Sequence, residues 1–490
     1  VAEDSPIWPY VTSTADNCLG QQCPQYADCH VVKARREAQE ADVVVVNHHL
    51  LLADLAMKEE GFVEFLPGAE AIIIDEAHQL PDLAVQFFGV AVGSREIERL
   101  VDEARAAALT LGQKELRRRT DKLDKAIKVL RAEAPRDEGR YELGQVMPEI
   151  RDALDALRGA VGELATALDA STDAGIDIEK LHEQLIHINE RLALLSSEDS
   201  WDGLRWLEVK PRSLRLNLTP LDVSATLRGM IDNDHQAWIF TSATLAVGED
   251  FSHFTSRMGL GGAKALTFPS PYPVADRGLV WLPEGLPMPS DPQHTGHMLE
   301  TVTPLLEQTA GGMFCLFTSH RALNAAKKWF RAHRKALGGR KLLVQGSAPR
   351  DDLLRRFREA GNAVLLGTGS FWEGVDVRGT ALTVVAIDKL PFASPADPLL
   401  MARLEFIRRN GGNGFTEHQV PQAVLAMKQG AGRLLRDPTD YGVIVLCDRR
   451  ITEKGYGKSF LRSFEPMPST SSIDDVRAFF ERHESAGAVA

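Results

Sequence analysis

Two adjacent carboxylates and a histidine follow an apolar run in the sequence AIIIDEAHQLPD, residues 71–82. The run is typical of a buried strand, so Asp75 and Glu76 would lie at its carboxyl end. An aspartate there can hold Mg²⁺, and the next glutamate can polarise a water that attacks a phosphate. His78 could sense the γ-phosphate. An acidic pair after a strand is also common at the start of a helix, so the pair alone does not decide the chemistry.

Arginines that could serve the same chemistry occur in the sequence QGAGRLLR, residues 429–436. The spacings between Gln429, Arg433 and Arg436, four and then three residues, predict one face of a helix. A guanidinium is planar and always charged, which suits the charge that develops on a phosphoryl group in transfer. The alternative interpretation is a basic helix face in solvent.

Three cysteines near the amino terminus form the pattern C-x4-C-x5-C: Cys18, Cys23 and Cys29. This pattern is wider than the C-x2-C of common zinc sites, and His30 would be a strained fourth ligand. Cys315 and Cys447 lie in apolar runs and are predicted to be core residues. Five cysteines in 490 residues do not indicate a disulfide framework, so we expect a reducing, cytoplasmic location.

A nucleotide site of this kind also needs a loop G-x-x-x-x-G-K-[ST], whose backbone amides and lysine hold the phosphates. The nearest match is TEKGYGKS, residues 452–459, in which Thr452 stands where the first glycine belongs. This stretch follows the arginine sequence instead of preceding Asp75. We therefore expect it to form a loop and the start of a helix rather than a phosphate site.

The elements that would position these residues are those of a large α/β protein. The chain has 490 residues, too many for one domain at the usual ~100–200 residues each. Its 44% hydrophobic and 25% charged content is typical of a globular protein, and no apolar run approaches the ~20 residues of a membrane span. The net charge of −12 argues against nucleic acid over the whole surface, but not against a local basic groove.

Short runs rich in β-branched and apolar residues recur along the chain, and most of them end in a polar residue. Strands that are apolar on both faces suit a parallel sheet covered by helices, with ligands at the carboxyl ends of the strands. The runs are 42–47, 71–76, 237–245, 313–319, 363–370, 382–390 and 441–448.

Residues 95–200 have a different pattern, in which leucine and isoleucine recur at helical spacing. The apolar stripes are at 116–130, 150–168 and 181–195, with breaks at 133–139 and 170–177. The pattern predicts a bundle of antiparallel helices that interrupts a sheet domain, which resumes near residue 215. A second domain boundary is predicted at the Pro- and Gly-rich residues 269–278.

Taken together, the motifs resemble those of superfamily 2 helicases. They are, in order, DEAH at 75–78, SAT at 242–244, W-E-G-V-D at 372–376 and Q-x-x-G-R-x-x-R at 429–436. The stretches VVVVNHHLLLADL, SFWEGVDVRG and IDKLPFASPADPL, the interrupted first domain and the cysteines resemble the XPD/DinG branch. The likeness covers nearly the whole chain and is weakest in the helical bundle, where periodicity alone matches.

The resemblance implies an α/β fold with two RecA-like parallel-sheet helicase domains, the first interrupted by a helical arch insertion, plus a partial iron–sulfur segment. The implied bounds are 1–40 for the iron–sulfur segment, 41–94 and 215–272 for the first helicase domain, 95–214 for the arch and 273–490 for the second helicase domain.

The resemblance also implies an ATP-dependent DNA helicase that moves 5′ to 3′ in repair or replication, with ATP and Mg²⁺ between its two helicase domains. The implied catalytic residues are Asp75, Glu76, His78, Arg433 and Arg436. The implied nucleotide contacts are Gln429, Gly374 and Asp376. The implied ligands of a [4Fe–4S] cluster are Cys18, Cys23 and Cys29, with a fourth cysteine before Val1. The family's phosphate loop would also precede Val1, so we expect this chain alone to turn over little ATP.

The implied partners are single-stranded and forked duplex DNA and replication or repair proteins, with no membrane, and we expect a monomer. The candidate DNA contacts at strand ends are Thr318, Ser319, Thr368 and Ser370. Trp372 could stack on a base, although packing in the core is the favoured role. The sequence RWLEVKPRSLRLN, residues 205–217, is a second candidate, but a β-hairpin edge with solvated charges explains it nearly as well.

A rival hypothesis is a non-hydrolysing scaffold, derived from a helicase, that binds DNA or a partner protein. The presence of Glu76, Arg433 and Arg436 argues against it, because a scaffold has no need of residues that serve ATP turnover.

Overall fold

The computed structural model describes residues 7, 11–12, 18–59, 66–171, 175–197, 203–232, 236–372, 377 and 379–487. The chain forms two compact units. The first unit comprises Val1–Thr241, Arg257–Leu260 and Ser394–Phe406, and the second comprises Ser242–Ser256, Gly261–Ala393 and Ile407–Ala490. Across the described ranges, no helix combines the length and apolar character needed to cross a membrane.

In chain order the strands are β1 (Ala71–Ile74), β2 (Val90–Gly93), β3 (Gly139–Glu142), β4 (Gly203–Lys210), β5 (Ser213–Pro220), β6 (Ala237–Phe240), β7 (Gly278–Trp281), β8 (Gly312–Leu316), β9 (Leu342–Val344), β10 (Val364–Gly367), β11 (Leu382–Ile387), β12 (Gly442–Leu446) and β13 (Ser469–Thr470). The helices are α1 (His30–Glu40), α2 (His48–Glu59), α3 (Leu80–Phe87), α4 (Ser94–Thr110), α5 (Lys114–Glu133), α6 (Leu143–Asp169), α7 (Ile176–Ser196), α8 (Ser224–Asp232), α9 (Ser252–Met258), α10 (Val274–Arg277), α11 (His294–Val302), α12 (His320–Ala332), α13 (Arg350–Ala360), α14 (Pro398–Arg409), α15 (Val420–Ala431), α16 (Arg450–Glu453), α17 (Gly457–Arg462) and α18 (Ile473–Gly487).

In the first unit, β1 and β6 form a parallel pair in which Ile74 lies opposite Phe240. The three isoleucines of β1 favour the extended backbone of a strand, because branching at Cβ restricts the side chain least there. Ile74, the last of them, is buried. Its neighbour Asp75 therefore begins the loop at the carboxyl end of the pair, as the sequence predicts.

Six of the predicted apolar runs contain a strand: β1, β6, β8, β10, β11 and β12. The run 42–47 does not, and the prediction of a strand there is wrong. Val43 and Val45 are 81% and 92% exposed, and no strand of the described sheets pairs with this segment. A β-prone run without a partner strand lacks the ladder of hydrogen bonds that would make it a strand.

The apolar stripes between residues 95 and 200 form α5, α6 and α7, as predicted, and α4 precedes them. Their buried faces make one core, in which Leu123, Leu157 and Leu185 are fully buried. An antiparallel sheet in the order β2-β5-β4-β3 packs beside this core, and the sequence interpretation missed it. The predicted hairpin at 205–217 is present as β4 and β5, but it lies at the centre of that sheet and not at an edge.

The second unit contains a parallel sheet in the order β13-β7-β12-β11-β8-β10-β9. Neighbouring residues of a strand face opposite sides, so Phe314 belongs to one apolar core and Cys315 to the other. Both faces of the sheet are therefore covered, as the continuous apolar runs predict. Cys315 and Cys447 are both fully buried, which confirms their assignment to the core.

Candidate active site

The loop after β1 is fixed to the end of β6 by hydrogen bonds. The Thr241 amide donates to the Ile74 carbonyl (2.8 Å), and the Ala77 amide donates to the Thr241 carbonyl (3.0 Å). The Thr241 hydroxyl also lies 3.3 Å from Oδ1 of Asp75, to which it donates. These contacts hold the Asp75 carboxylate, which is exposed to solvent, at the carboxyl end of the parallel pair.

A histidine that the sequence interpretation did not select also supports this loop. Nε2 of His48, at the start of α2, lies 2.9 Å from the Asp75 carbonyl oxygen. Because a carbonyl accepts, this nitrogen carries the proton. The His-His pair at 48–49 was the signal in the sequence, but its distance from Asp75 along the chain hid the contact.

Glu76 and His78 contact each other across one turn. Nδ1 of His78 lies 3.3 Å from Oε2 of Glu76, whose side chain is 56% exposed. Glu76 has φ 48°, and it is the one non-glycine residue with positive φ among the residues described. The turn and the histidine together direct the carboxylate of Glu76 to the same exposed end of the sheet as Asp75.

Helix α3, which follows this loop, is anchored by a charged network that the sequence interpretation also missed. Asp82 in its first turn accepts hydrogen bonds from the guanidinium groups of Arg257 and Arg403. The Arg403 side chain is only 12% exposed, and burial lowers the pKa of its guanidinium despite the nearby Asp82. Arg257 and Arg403 lie in the two short segments that belong to the first unit, so Asp82 joins three distant parts of the chain.

In the second unit, Gln429 contacts the SAT sequence. Its Nε2 donates to Oγ1 of Thr244 over 3.3 Å, and the Thr244 side chain is buried. The hydroxyl of Thr244 also lies 3.1 Å from that of Ser242. Two of the motifs that are separated by 185 residues in the chain thus meet directly.

The prediction of one helical face for Gln429, Arg433 and Arg436 is wrong, because α15 ends at Ala431. Gly432 caps the helix, and the Asp440 carboxylate accepts the backbone amide of Arg436 (2.9 Å), which turns the chain away from the helix axis. Arg433 is only 7% exposed, and its Nη2 donates to the Trp372 carbonyl (2.8 Å). The arginines are therefore placed by a turn, and Asp440 is a residue that sequence reasoning missed.

Comparisons with known proteins show which family and fold the chain resembles. The family described as helicase C-terminal domain matches residues 302–467. A solved XPD helicase has a TM-score of 0.59 at 18% identity, covering 89% of this chain and 74% of that one. Xpd4 of S. tokodaii has a TM-score of 0.56 at 16% identity, covering 86% and 81%.

Sequence relatives decide the family. ATP-dependent DNA helicase YoaA of Escherichia coli is 42% identical over 483 residues, which are 96% of this chain and 74% of that protein. ATP-dependent helicase DinG of Mycobacterium tuberculosis is 31% identical over 500 residues, 99% of this chain and 73% of that protein. The chain belongs to the DinG/XPD type of superfamily 2 helicases. The recognition made from the motifs is confirmed, and so is the α/β fold with parallel-strand sheets, consistent with RecA-like helicase domains.

Helicases of this type need Mg²⁺, and the acidic loop fits it. This ion is usually held by one or two carboxylates together with water and nucleotide phosphates, rather than by a full protein cage. Asp75 and Glu76 are exposed carboxylates at a strand end, and the Thr241 hydroxyl orients one of them. The pair leaves room for phosphate and water ligands.

The arrangement of the three amino-terminal cysteines does not fit an iron–sulfur cluster. Across the described ranges, which include all three cysteines, no three His, Cys, Asp or Glu side chains converge as metal ligands. Sγ of Cys18 instead accepts the Gly20 amide (3.4 Å), and Cys23 and Cys29 each follow a separate short 3-10 helix. The arrangement described here therefore does not support a cluster on Cys18, Cys23 and Cys29.

The sequence TEKGYGKS forms a loop and a helix start, as predicted, since α17 begins at Gly457. A Cβ atom at Gly457 would lie 1.8 Å from the carbonyl oxygen of Ile451. This glycine is thus required for close packing of α17 against α16, which gives a structural reason for its presence.

The candidate DNA contacts differ in exposure. Thr318 is exposed, and Ser319 caps α12 by accepting the Ala322 amide (3.2 Å). Thr368 is buried, and its amide donates to Oε1 of Gln345 (2.6 Å). The backbone of Ser370 lies in the short helix Gly369–Phe371, and Gly374 and Asp376 lie outside the described residues. A role for these residues in DNA or nucleotide binding stays a prediction.

Two tryptophans that could have stacked on bases are packed inside the protein. Trp372 is 6% exposed, and its indole donates to the Phe317 carbonyl (3.4 Å), so the favoured core role is confirmed. Trp206 is 9% exposed, and its indole donates to the Thr219 hydroxyl (2.9 Å). Neither ring has a free face for a base, which removes the main reason for a DNA contact at residues 205–217.

Proposed function

We propose that the protein hydrolyses ATP to move 5′ to 3′ along single-stranded DNA and to open forked duplexes in repair or replication. The observation that carries this proposal is the loop after β1, where Asp75 and Glu76 are held at the carboxyl end of a parallel pair. The names of the relatives, ATP-dependent DNA helicase YoaA and ATP-dependent helicase DinG, support the ATP-dependent helicase activity in this proposal.

In this proposal Asp75 holds Mg²⁺, which when bound neutralises charge on the nucleotide phosphates. The Thr241 hydroxyl and the His48 ring keep the loop in place. Glu76 accepts a proton from the attacking water, and His78 orients its carboxylate from 3.3 Å. The side chain of Glu76 is 56% exposed, so its carboxylate is accessible to a water and a phosphate.

The resemblance to helicases also assigns Arg433 and Arg436, in the second unit, to ATP turnover. Arg433 is held by the Trp372 carbonyl, so its guanidinium has a fixed direction and loses little freedom when a phosphate binds. Arg436 would add a second positive charge, and Gln429, held to Thr244, would report the nucleotide state to the SAT sequence. If Arg433 has this role, a substitution of Arg433 lowers ATP turnover more than it lowers the affinity for DNA.

The test is DNA-stimulated phosphate release by the protein as its gene encodes it, with a Glu76→Gln variant. Removing a general base costs about 10²–10⁴-fold in rate, so we expect a loss of at least about 100-fold with single-strand affinity nearly unchanged. Glu70→Gln is the matched control, because Glu70 is an exposed glutamate just before β1.

The rival scaffold hypothesis makes the opposite prediction. A non-hydrolysing scaffold would bind DNA, release no phosphate above background and be unaffected by Glu76→Gln. Turnover that survives Glu76→Gln would show that another residue activates the water and would contradict the role given to this loop.

A further inference from the structure

The second unit has a pocket beside the edge strand β9 of its parallel sheet, remote in the chain from the motifs described above. Its volume is about 360 Å³. The lining residues come from the second half of α12, the turn that follows it and β9: Lys327, Phe330, Arg331, Arg334, Leu337, Leu342 and Val344. The pocket thus combines an apolar interior with three cationic side chains, and no acidic side chain lines it.

The positive charge of this pocket belongs to a wider basic segment. No aspartate or glutamate occurs between Glu307 and Asp351, although the chain as a whole has a net charge of −12. The lysines and arginines of that interval are Arg321, Lys327, Lys328, Arg331, Arg334, Lys335, Arg340, Lys341 and Arg350. Throughout the described part of the chain, no carboxylate forms an ion pair with Lys327, Arg331 or Arg334. Three unpaired cations around one opening favour an anionic partner.

The place of the pocket in the sheet argues against a nucleotide or a DNA strand as its occupant. Ligands of parallel α/β sheets bind at the carboxyl ends of the strands, where Thr318 and Ser319 follow β8. Helix α12 starts there and runs 13 residues, about 20 Å, back along the sheet. Arg331 lies in its last turn, and Arg334 begins the short 3-10 helix that follows it. A strand of DNA held at the carboxyl ends would not need this pocket.

The apolar interior argues for a peptide. Phe330 lines the pocket and is 1% exposed, and Leu337, Leu342 and Val344 complete the apolar lining. A volume of 360 Å³ is at the small end of ligand pockets, about 300–1,000 Å³, and suits one large side chain rather than a whole nucleotide. A phosphate backbone would use the cations but would make no apolar contact with Leu337 and Leu342, which are only partly buried.

We propose that this pocket binds an acidic peptide segment of a partner protein, with one large apolar side chain of the segment in the pocket. Carboxylates on either side of that side chain would pair with Lys327, Arg331 and Arg334. Ion pairs at an exposed rim are weak, so the buried side chain supplies the affinity and the charges supply selectivity and the rate of encounter.

The test is fluorescence anisotropy with a labelled peptide that has a central phenylalanine between two runs of aspartate. We expect binding to the protein, and a loss of affinity of about tenfold or more in Arg331→Glu. Arg321→Glu is the matched control, since Arg321 is an exposed arginine of the same helix that does not line the pocket. The affinity of the Arg321→Glu variant for the peptide should stay within about twofold of that of the wild-type protein. Peptides with serine for phenylalanine, or with asparagine for aspartate, should each bind more weakly.

Three outcomes would overturn the proposal. The first is no binding of the aspartate–phenylalanine peptide to the wild-type protein. The second is an equal loss of affinity in Arg331→Glu and Arg321→Glu, which would mean diffuse charge rather than a pocket. The third is a loss of affinity for a labelled thymidine oligonucleotide in Arg331→Glu with peptide binding unchanged, which would assign this surface to nucleic acid.

Discussion

Glu76 has a backbone conformation that few residues of its type adopt. Its φ of 48° lies in the left-handed region, where a side chain with a Cβ costs roughly 1 kcal/mol or more. A glycine would relieve that cost but would remove the carboxylate that meets His78. Backbone strain in a polar loop is typical of a functional site. Here the hydrogen bond between Ala77 and Thr241 helps to hold the strained turn in place.

At this scale the sequence predicts residue types and misses their partners. Asp75, Glu76 and His78 could be selected because strand pattern and acidic residues are local signals. His48, Thr241 and Asp82 could not, because their contacts depend on which distant segments the fold brings together. Cys18, Cys23 and Cys29 also give a local signal in the sequence, but the described structure does not bring them together as metal ligands.

Asp388, at the carboxyl end of β11, is a buried carboxyl group with consequences for stability. Burial raises its pKa to about 6, the nearby Lys389 and His294 partly offset this rise, and Asp448 raises the pKa further. Its Oδ1 lies 3.4 Å from Nε2 of His294, and that nitrogen is closer to the Asp388 carbonyl oxygen, at 2.9 Å.

The raised pKa predicts a pH dependence with a definite sign. The unfolded chain releases this proton near pH 3.9, so between there and about pH 6 the folded state binds more protons. The contribution of Asp388 to the free energy of unfolding is therefore present at low pH and lost as pH rises through about 6. Relative to Asp388→Asn, wild type should lose about 1 kcal/mol between pH 5 and pH 6.5, measured by urea unfolding. A difference that is flat with pH, or that grows, would contradict the raised pKa.

At the scale of elements, periodicity predicts those helices and strands whose residues follow one regular pattern. The leucine stripes of α5, α6 and α7 and the apolar runs of the parallel sheet are of this kind. The antiparallel sheet of the first unit was missed because β2 and β3 have only four residues each and their partners are far away in the chain. The end of α15 was missed because helical spacing continues past Gly432, where the side chain of Asp440 redirects the backbone.

The network of Asp82 predicts how α3 depends on distant segments. Removing one partner of a buried ion pair leaves a buried charge, which costs about 3–5 kcal/mol. Asp82 is itself 47% exposed, so we expect Asp82→Ala to lower the free energy of unfolding of the first unit by about 2–3 kcal/mol. Because α3 follows the Glu76 loop, ATP turnover should fall as well. Chemical unfolding and phosphate release check the two effects.

A double variant separates charge from packing at this network. Arg403→Met removes the buried guanidinium and keeps most of the side-chain volume, so combining it with Asp82→Ala should recover part of the lost stability. The control is Asp232→Ala, an exposed aspartate of the same unit that pairs with Arg228. If the two single changes simply add in the double variant, then the pair contributes no coupling energy and the network is not an anchor.

At the scale of the whole molecule, the two units have separate apolar cores. The second unit has its own anchor in Arg340, whose guanidinium donates to four backbone carbonyls: Gly311, Asn362, Leu306 and Thr309. Burial lowers the pKa of this guanidinium, and Glu484 partly opposes the shift. A lysine could not replace it, because one ammonium cannot reach four acceptors in a plane.

Separate cores and separate anchors predict that the chain does not unfold in one step. Multidomain proteins commonly depart from two-state unfolding, because each core can be lost while the other persists. We expect Arg340→Ala to lower the stability of the second unit by about 2–4 kcal/mol, since it leaves several buried carbonyls without a donor. Asp82→Ala should lower only the stability of the first unit.

Urea titration followed by hydrogen exchange and mass spectrometry assigns each transition, with peptides from β1 reporting the first unit and peptides from β8 the second. Lys335→Ala, an exposed neighbour of Arg340, should move neither transition. One transition that both Arg340→Ala and Asp82→Ala shift together would mean that the two units unfold as a single cooperative unit.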